Sequence, residues 1–264
     1  MQRTLNIPPM KNKLVFGLII LFVSTLVHPI LAQEVPIKKI LFVVTSHNEK
    51  GNTGEPTGYY MSEVSHPWQV LIEAGYDIDF VSPQGGSPPV DAFDLNDPTN
   101  KAFWENAHYR QKIAKSLKPE AVDPQDYVAI FFAGGHGAMW DFPENKSLDF
   151  LTRNIYEQGG VVAAVCHGPA ALVNVRLSPG DYLIQGKTLT AFSNEEEQER
   201  KLDQVVPFLL EDALIKHGAK FEKASMWENK VCTDQRLITG QNPQSAKGVA
   251  EAMLQVLESL QAAG

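Results

Sequence analysis

The sequence predicts an α/β fold, a mostly parallel sheet with helices on both faces. Three observations carry this. Nearly continuous apolar runs recur as KKILFVVTS (38–46), YVAIFFA (127–133) and VVAAV (161–165). Strands buried on both faces of a parallel sheet read this way. Helical stretches alternate with these runs, which is the order that builds such a sheet. Glycine-rich turns, Gly134-Gly135-His136-Gly137 and Cys166-His167-Gly168, follow strand ends directly, where ligands bind in open α/β sheets.

The elements follow in order. After the first strand comes a polar loop, HNEKGNTGEPTG, and then helical character from Tyr59 to Ala74, closed by Gly75. Pro67 cannot sit deep inside a helix without a kink, so that helix is expected to start near His66. YDIDFVS (76–82) reads as a second strand, 84–100 as loop and 101–117 as one helix. The third strand is 127–133, a helix over 148–158 ends at Gly159-Gly160, and the fourth strand is 161–165. Pro169 opens the next helix. A strand is expected at 187–193 and a helix at 205–217. Short strands are expected at 220–225 and 229–233, and a terminal helix from Ser245 to Leu260.

The chain has 264 residues, 44% of them hydrophobic, enough to bury a full core. A net charge of −8 with dispersed basic residues argues against nucleic acid or an anionic membrane surface as partner. Arg3, Lys11 and Lys13 precede the apolar stretch LVFGLIILFVSTLV, and Ala32 stands at a plausible cleavage point. This pattern predicts a signal peptide over 1–32, a mature domain over 33–264 and an exported protein, periplasmic or secreted, with no stable membrane association after cleavage. An uncleaved anchor is the alternative, though the run is short for a spanning helix.

Cys166 is the candidate nucleophile. A buried strand stops and a helix is due to start within three residues, so Cys166 must occupy a sharp turn, as nucleophiles do at strand–helix elbows. The free N–H groups of a helix start would stabilise a thiolate, which predicts a lowered thiol pKa. Cys232, in KVCTD, has no such turn and reads as a small core residue. His167, directly after Cys166, is a candidate general acid or base. The amides of Gly135 and His167 are candidate oxyanion donors. The His, Cys and acidic residues show no zinc-like spacing.

The segments KKILFVVTS, GYYMSEVSHPWQVLIEAGYDIDFVSP, DYVAIFFAGGHGAMWDF, GGVVAAVCHGPAAL, GKTLTAFSNEEE and ITGQNPQSA, spanning most of 38–246, resemble the ThiJ/PfpI superfamily of the class I glutamine amidotransferase-like fold. The HPW helix and the long 84–117 insertion resemble its branch of chaperone-like, glutathione-independent glyoxalases, also called D-lactate dehydratases. The resemblance implies a flavodoxin-like three-layer sandwich, often a homodimer, that uses neither metal nor organic cofactor. It places Cys166 as nucleophile, His167 as its neighbour and Glu63 as the carboxyl against the thiol. Glu197 is placed as the acid that orients the histidine, with Glu196 the alternative one residue away, and Gly135 and His136 as the pocket wall.

The implied reaction converts methylglyoxal or glyoxal, small 2-oxoaldehydes, to lactate or glycolate, a defence against carbonyl stress. The same nucleophile would also serve a PfpI-type amidase or peptidase, and a non-enzymatic chaperone or redox sensor is a further alternative. The 84–117 insertion with Trp104 is expected to form a lid that favours small substrates. An exported thiol would also face oxidation.

Overall fold

The computed structural model describes residues 2–5 and 38–263. The chain divides into two units, Met1–Val35 and Pro36–Gly264, and the described secondary structure lies in the second. Apart from residues 2–5, the segment read as a signal peptide lies outside the described residues.

Six strands form the main sheet: β1 (Lys39–Val43), β2 (Asp77–Val81), β3 (Tyr127–Phe132), β4 (Val161–Val165), β5 (Val231–Asp234) and β6 (Leu237–Gly240). Their order is β2-β1-β3-β4-β6-β5, and every neighbouring pair is parallel except β6 with β5. Only two residues join β5 to β6, and Gln235 among them has φ 57°, so this pair closes as a hairpin and must be antiparallel. The other connections are long enough to carry a crossover.

Alternation along the strands separates two cores. Ile40, Phe42, Phe131, Ala163 and Ile238 face one side, where they meet Val64, Trp68 and Leu71 of α1 (Met61–Glu73) and Val249, Met253 and Leu257 of α5 (Ala246–Ala263). Leu41, Val43, Ile130, Phe132 and Val162 face the other. There they meet Leu148, Leu151 and Ile155 of α2 (Lys146–Glu157) and Leu210 and Leu214 of α4 (Leu210–Lys216). Between these helices, α3 (Asn194–Glu199) follows the short strand Thr188–Leu189. This is the three-layer, flavodoxin-like arrangement expected. Successive residues of a strand point to opposite faces, so a run apolar throughout can fill both layers.

Several elements differ from expectation. Helix α1 begins at Met61, not near His66, and holds Pro67 inside it. Its start is fixed from outside, since the Tyr60 amide donates to the Gly134 carbonyl at 3.1 Å. That tertiary bond ties the first turn to the loop after β3, and burial of Met61, Val64, Trp68 and Leu71 along the helix offsets the local cost of proline. The single helix expected over 101–117 is two, Pro98–Glu105 and Ala107–Ala114. Asn106 ends the first and caps the second, its side chain accepting from the Tyr109 amide. Asparagine competes for backbone bonds in this way. The strand expected over 187–193 is only Thr188–Leu189, and the helix expected from 205 starts at Leu210.

Candidate active site

Cys166 follows β4 directly and has φ 59°. A side chain in this left-handed region costs about 1–2 kcal/mol, so the turn must be held by its surroundings. It is pinned from both sides: the Cys166 amide donates to the Gly240 carbonyl and its carbonyl accepts from the Phe192 amide, each at 2.9 Å. Gly168 sits so close beneath β3 that a Cβ there would collide with the Phe132 carbonyl. The elbow is thus as the sequence suggests. The helix after it is not, because Gly168–Leu172 is one short 3-10 segment. Five residues offer little aligned dipole, and that source of thiolate stabilisation is small.

The expected low thiol pKa is accordingly corrected. Burial pushes the Cys166 thiol well above its ordinary value, and the neighbouring Glu63 carboxyl adds to the rise; the Gly135 amide acts in the opposite direction. Glu63 stands in the first turn of α1, fully buried. Its Oε2 accepts from the Gly134 amide at 2.7 Å, Oε1 has no well-aligned partner, and the carboxyl neighbours the Cys166 thiol. Burial lifts the Glu63 pKa to about 8, against the opposing pull of the thiol and the Gly134 amide. Glu63 is therefore protonated at neutral pH. A protonated carboxyl removes the negative charge that pushes the thiol up and can donate to sulfur. The two groups titrate as a pair, and the sulfur is easiest to ionise while Glu63 keeps its proton.

Helix α3 supplies two buried carboxylates with different surroundings. Glu196 closes a capping box with Ser193. Its Oε2 accepts from the Ser193 amide at 3.0 Å, and its Oε1 accepts from the Trp227 amide at 3.0 Å and Asn242 Nδ2 at 2.9 Å. Those bonds commit it to holding the loops. Glu197, the next residue, faces two imidazoles: His167 Nε2 at 2.8 Å and His136 Nε2 at 2.9 Å. Although burial opposes it, these rings hold the Glu197 carboxyl well below the usual carboxylate range. An ionised carboxylate only accepts, so each ring presents an Nε2 hydrogen to it. That leaves His167 Nδ1 as the acceptor nitrogen, 3.4 Å from Cys166 Sγ. Burial, with His167 beside it, lowers the His136 pKa to about 4, which keeps that ring neutral near pH 7.

A cavity of about 730 Å³ opens onto Cys166, His167 and His136, with Tyr60, Trp227 and Arg200 among its lining residues. Cys166 itself is only 3% exposed, so its reach to solvent is narrow. The loop glycine Gly135 has φ 97°, and a Cβ there would collide with the Gly58 carbonyl, so backbone alone fits against the segment leading into α1. The lid expectation is corrected in part. The 84–117 insertion contributes Asp91 and Ala92 to the cavity, but Trp104 packs edge-on against Phe93, away from its lining.

Folding thus brings together Cys166, His167, Glu63, Glu197, Gly135 and His136. Cys232 stays apart as a second free, buried thiol. Chain spacing missed that Glu197 serves two histidines, and that donor atoms of His136, His167 and Glu197 lie within 4.8 Å of one another, close enough to hold a metal ion. It also missed Tyr60, Trp227 and Arg200. Arg200 alone had a local signal, standing one turn beyond Glu197, with its guanidinium 5.3 Å from the Trp227 ring centre.

The DJ-1/PfpI family model matches residues 56–256 of this chain. Glyoxalase 3 of Candida albicans is 34% identical, over 83% of this chain and 98% of that protein. The glutathione-independent glyoxalase HSP31 of Saccharomyces cerevisiae is 33% identical, over 84% and 99%. The crystal structure of glyoxalase III from Candida albicans superposes with a TM-score of 0.75 at 31% identity, covering 83% of this chain and 97% of that one.

These matches correct the expectation of export. The relatives, covered over nearly their whole length, are fungal Hsp31-type glyoxalases, and the likeness brings no export signal with it. Among the described residues no helix is long and apolar enough to cross a membrane. The oxidising surroundings inferred from the N-terminal segment are withdrawn with it.

Proposed function

The chain belongs to the DJ-1/PfpI family, and from that membership we propose that it is a glutathione-independent glyoxalase, converting methylglyoxal to lactate and glyoxal to glycolate. The observation that carries this reading is His167, set with one nitrogen on Glu197 and the other 3.4 Å from the Cys166 sulfur. A nucleophile, a base and a group orienting that base are the minimum for covalent catalysis by a thiol.

In the proposed sequence the Cys166 thiol gives its proton to His167 Nδ1, and sulfur bonds to the aldehyde carbon. The imidazolium returns that proton to the new alkoxide, forming a hemithioacetal. His167, again free as a base, takes the hydrogen from the former aldehyde carbon. The resulting enediolate takes that proton back from the imidazolium on the neighbouring carbon, while the hydroxyl proton of the sulfur-bearing carbon passes to the neighbouring oxygen, leaving a thioester on sulfur. Water cleaves the thioester, releasing the hydroxy acid and restoring the thiol, so the net change is addition of one water. The amides of Gly135 and His167 are suited to the oxyanions at the first and last steps. Glu63, neutral at pH 7, keeps a second negative charge away from the sulfur.

This assigns Cys166 as nucleophile, His167 as acid and base, Glu197 as its orienting group, Glu63 as proton partner of the thiol, and Gly135 and His136 as pocket wall. All lie within the proposed domain, 33–264, and the role suits protection against carbonyl stress. A homodimer, implied by the resemblance, is read by sedimentation of the purified chain. The central experiment incubates the purified protein with methylglyoxal, without glutathione, and measures lactate. Wild type is expected to turn over and Cys166→Ser to lose at least about 100-fold in kcat. No turnover by wild type overturns the glyoxalase reading, and near-normal turnover by Cys166→Ser overturns Cys166 as nucleophile.

A further inference from the structure

His136, His167 and Glu197 do more than share hydrogen bonds. They come from three separate segments: the loop after β3, the elbow after β4 and the first turn of α3. Their side chains are 12%, 1% and 5% exposed. Both imidazoles aim Nε2 at one carboxylate, and the ring centres are 4.2 Å apart. Two imidazoles and a carboxylate converging from rigid backbone match the three-ligand set of a tetrahedral divalent ion with one open position. The 730 Å³ cavity, which His136 and His167 line, supplies space for that fourth ligand.

We propose that His136, His167 and Glu197 bind a zinc-class divalent ion, and that its binding shuts off the Cys166–His167 proton transfer. The binding half rests on this geometry alone; the inhibitory half rests also on the glyoxalase reading. To ligate through Nε2, a ring with a single hydrogen moves it from Nε2 to Nδ1, with no net change in protons. His167 Nδ1 then carries a hydrogen where it must otherwise accept one from the thiol. The metal also takes the carboxylate that orients the ring. The reaction loses its base while the thiol remains in place. Cys166 Sγ lies at the Nδ1 edge of the ring, opposite the ligating nitrogen, so sulfur is not a ligand. Magnesium and calcium, which take six or more oxygen ligands, do not suit the set.

The test is equilibrium dialysis of the full chain against Zn2+ and, separately, Mg2+. Wild type is expected to retain one Zn2+ per chain and no Mg2+. Cys166→Ser is expected to retain Zn2+ with unchanged affinity, whereas His136→Ala and Glu197→Ala bind at least about 10-fold more weakly, with circular dichroism confirming that both are folded. In wild type and Cys166→Ser alike, Co2+ is expected to give tetrahedral d–d bands without thiolate charge transfer. Failure of wild type to retain Zn2+, loss of affinity in Cys166→Ser, or a thiolate–cobalt band overturns the site, and the cobalt readout decides even if the alanine variants misfold. In the activity arm, stoichiometric Zn2+ is expected to lower methylglyoxal turnover at least 10-fold, reversed by a chelator. Unchanged turnover with Zn2+ bound overturns the inhibitory half. An inactive wild type that still retains Zn2+ overturns the glyoxalase reading and leaves the binding site standing.

Discussion

Glu196 and Glu197 are adjacent residues of the same type, both buried, yet their partners divide them. Glu196 accepts from Ser193, Trp227 and Asn242, all parts of the scaffold. Glu197 accepts from the two histidines. Removing the charge at each position should therefore have different consequences. Glu197→Gln is expected to lower kcat for methylglyoxal by about 10²-fold, the scale of a misdirected general base, with little change in melting temperature. Glu196→Gln is expected to lose about 1–3 kcal/mol of stability through unsatisfied buried donors while keeping kcat within a few-fold of wild type. Steady-state rates and thermal melts on the two variants read this directly, and equal, near-wild-type rates in both would reject the orienting role.

At the scale of the element, α3 is a six-residue helix whose position decides where Glu197 points. So short a helix is not stable on its own. Its start is fixed by the Ser193 hydroxyl, which accepts from the Glu196 amide at 3.2 Å while Glu196 reaches back to the Ser193 amide. Ser193→Ala is expected to cost about 0.5–2 kcal/mol. It should also lower kcat more than KM changes, because Glu197 loses its aim while the cavity wall stays intact. Urea unfolding together with steady-state kinetics tests both parts; a stability loss with wild-type kcat would show that the cap holds the helix but not the aim of Glu197. The elbow follows the same logic. Cys166 is held at φ 59° by bonds to β6 and to the segment before α3, so the strain is carried by the sheet.

For the whole molecule, the buried site sets how stability depends on pH. His136 has its pKa lowered from 6.5 to about 4, so the unfolded chain binds the extra proton between those values and stability falls as pH drops through that window. Asp141, buried under the loop after β1, is raised from 3.8 to about 6, and Glu63 from 4.5 to about 8. For both carboxyls the folded state holds the proton more tightly. Each thus stabilises at low pH and loses that contribution as pH rises through its folded value. Between about pH 7.5 and 8.5 the other two have finished titrating in both states, and of these three only Glu63 is still changing. Wild-type stability is expected to decline over that interval, and Glu63→Gln, which keeps a neutral group of the same shape, should flatten the decline. Urea midpoints measured from pH 6 to 8.5 on both proteins check this; parallel curves would remove Glu63 as its source.

Much of this protein is legible in its sequence because the signals are local. Apolar runs such as YVAIFFA and VVAAV identify central strands, and Val165-Cys166-His167-Gly168 leaves too little chain for anything but a sharp turn. The central strands, the mostly parallel sheet and the sharp turn at Cys166-His167 were legible there. What depends on distant partners was not. The start of α1 depends on a bond from Tyr60 to Gly134 and on burial of one helix face, which together override the local signal of Pro67. The thiol pKa is raised by burial and, after it, by a carboxyl 103 residues away in sequence, where local pattern pointed the other way. The choice between Glu196 and Glu197 turns on which side of one short helix faces two histidines. Electrostatics and close contacts depend on separation in space, and the tertiary fold alone fixes that separation for residues far apart in the chain.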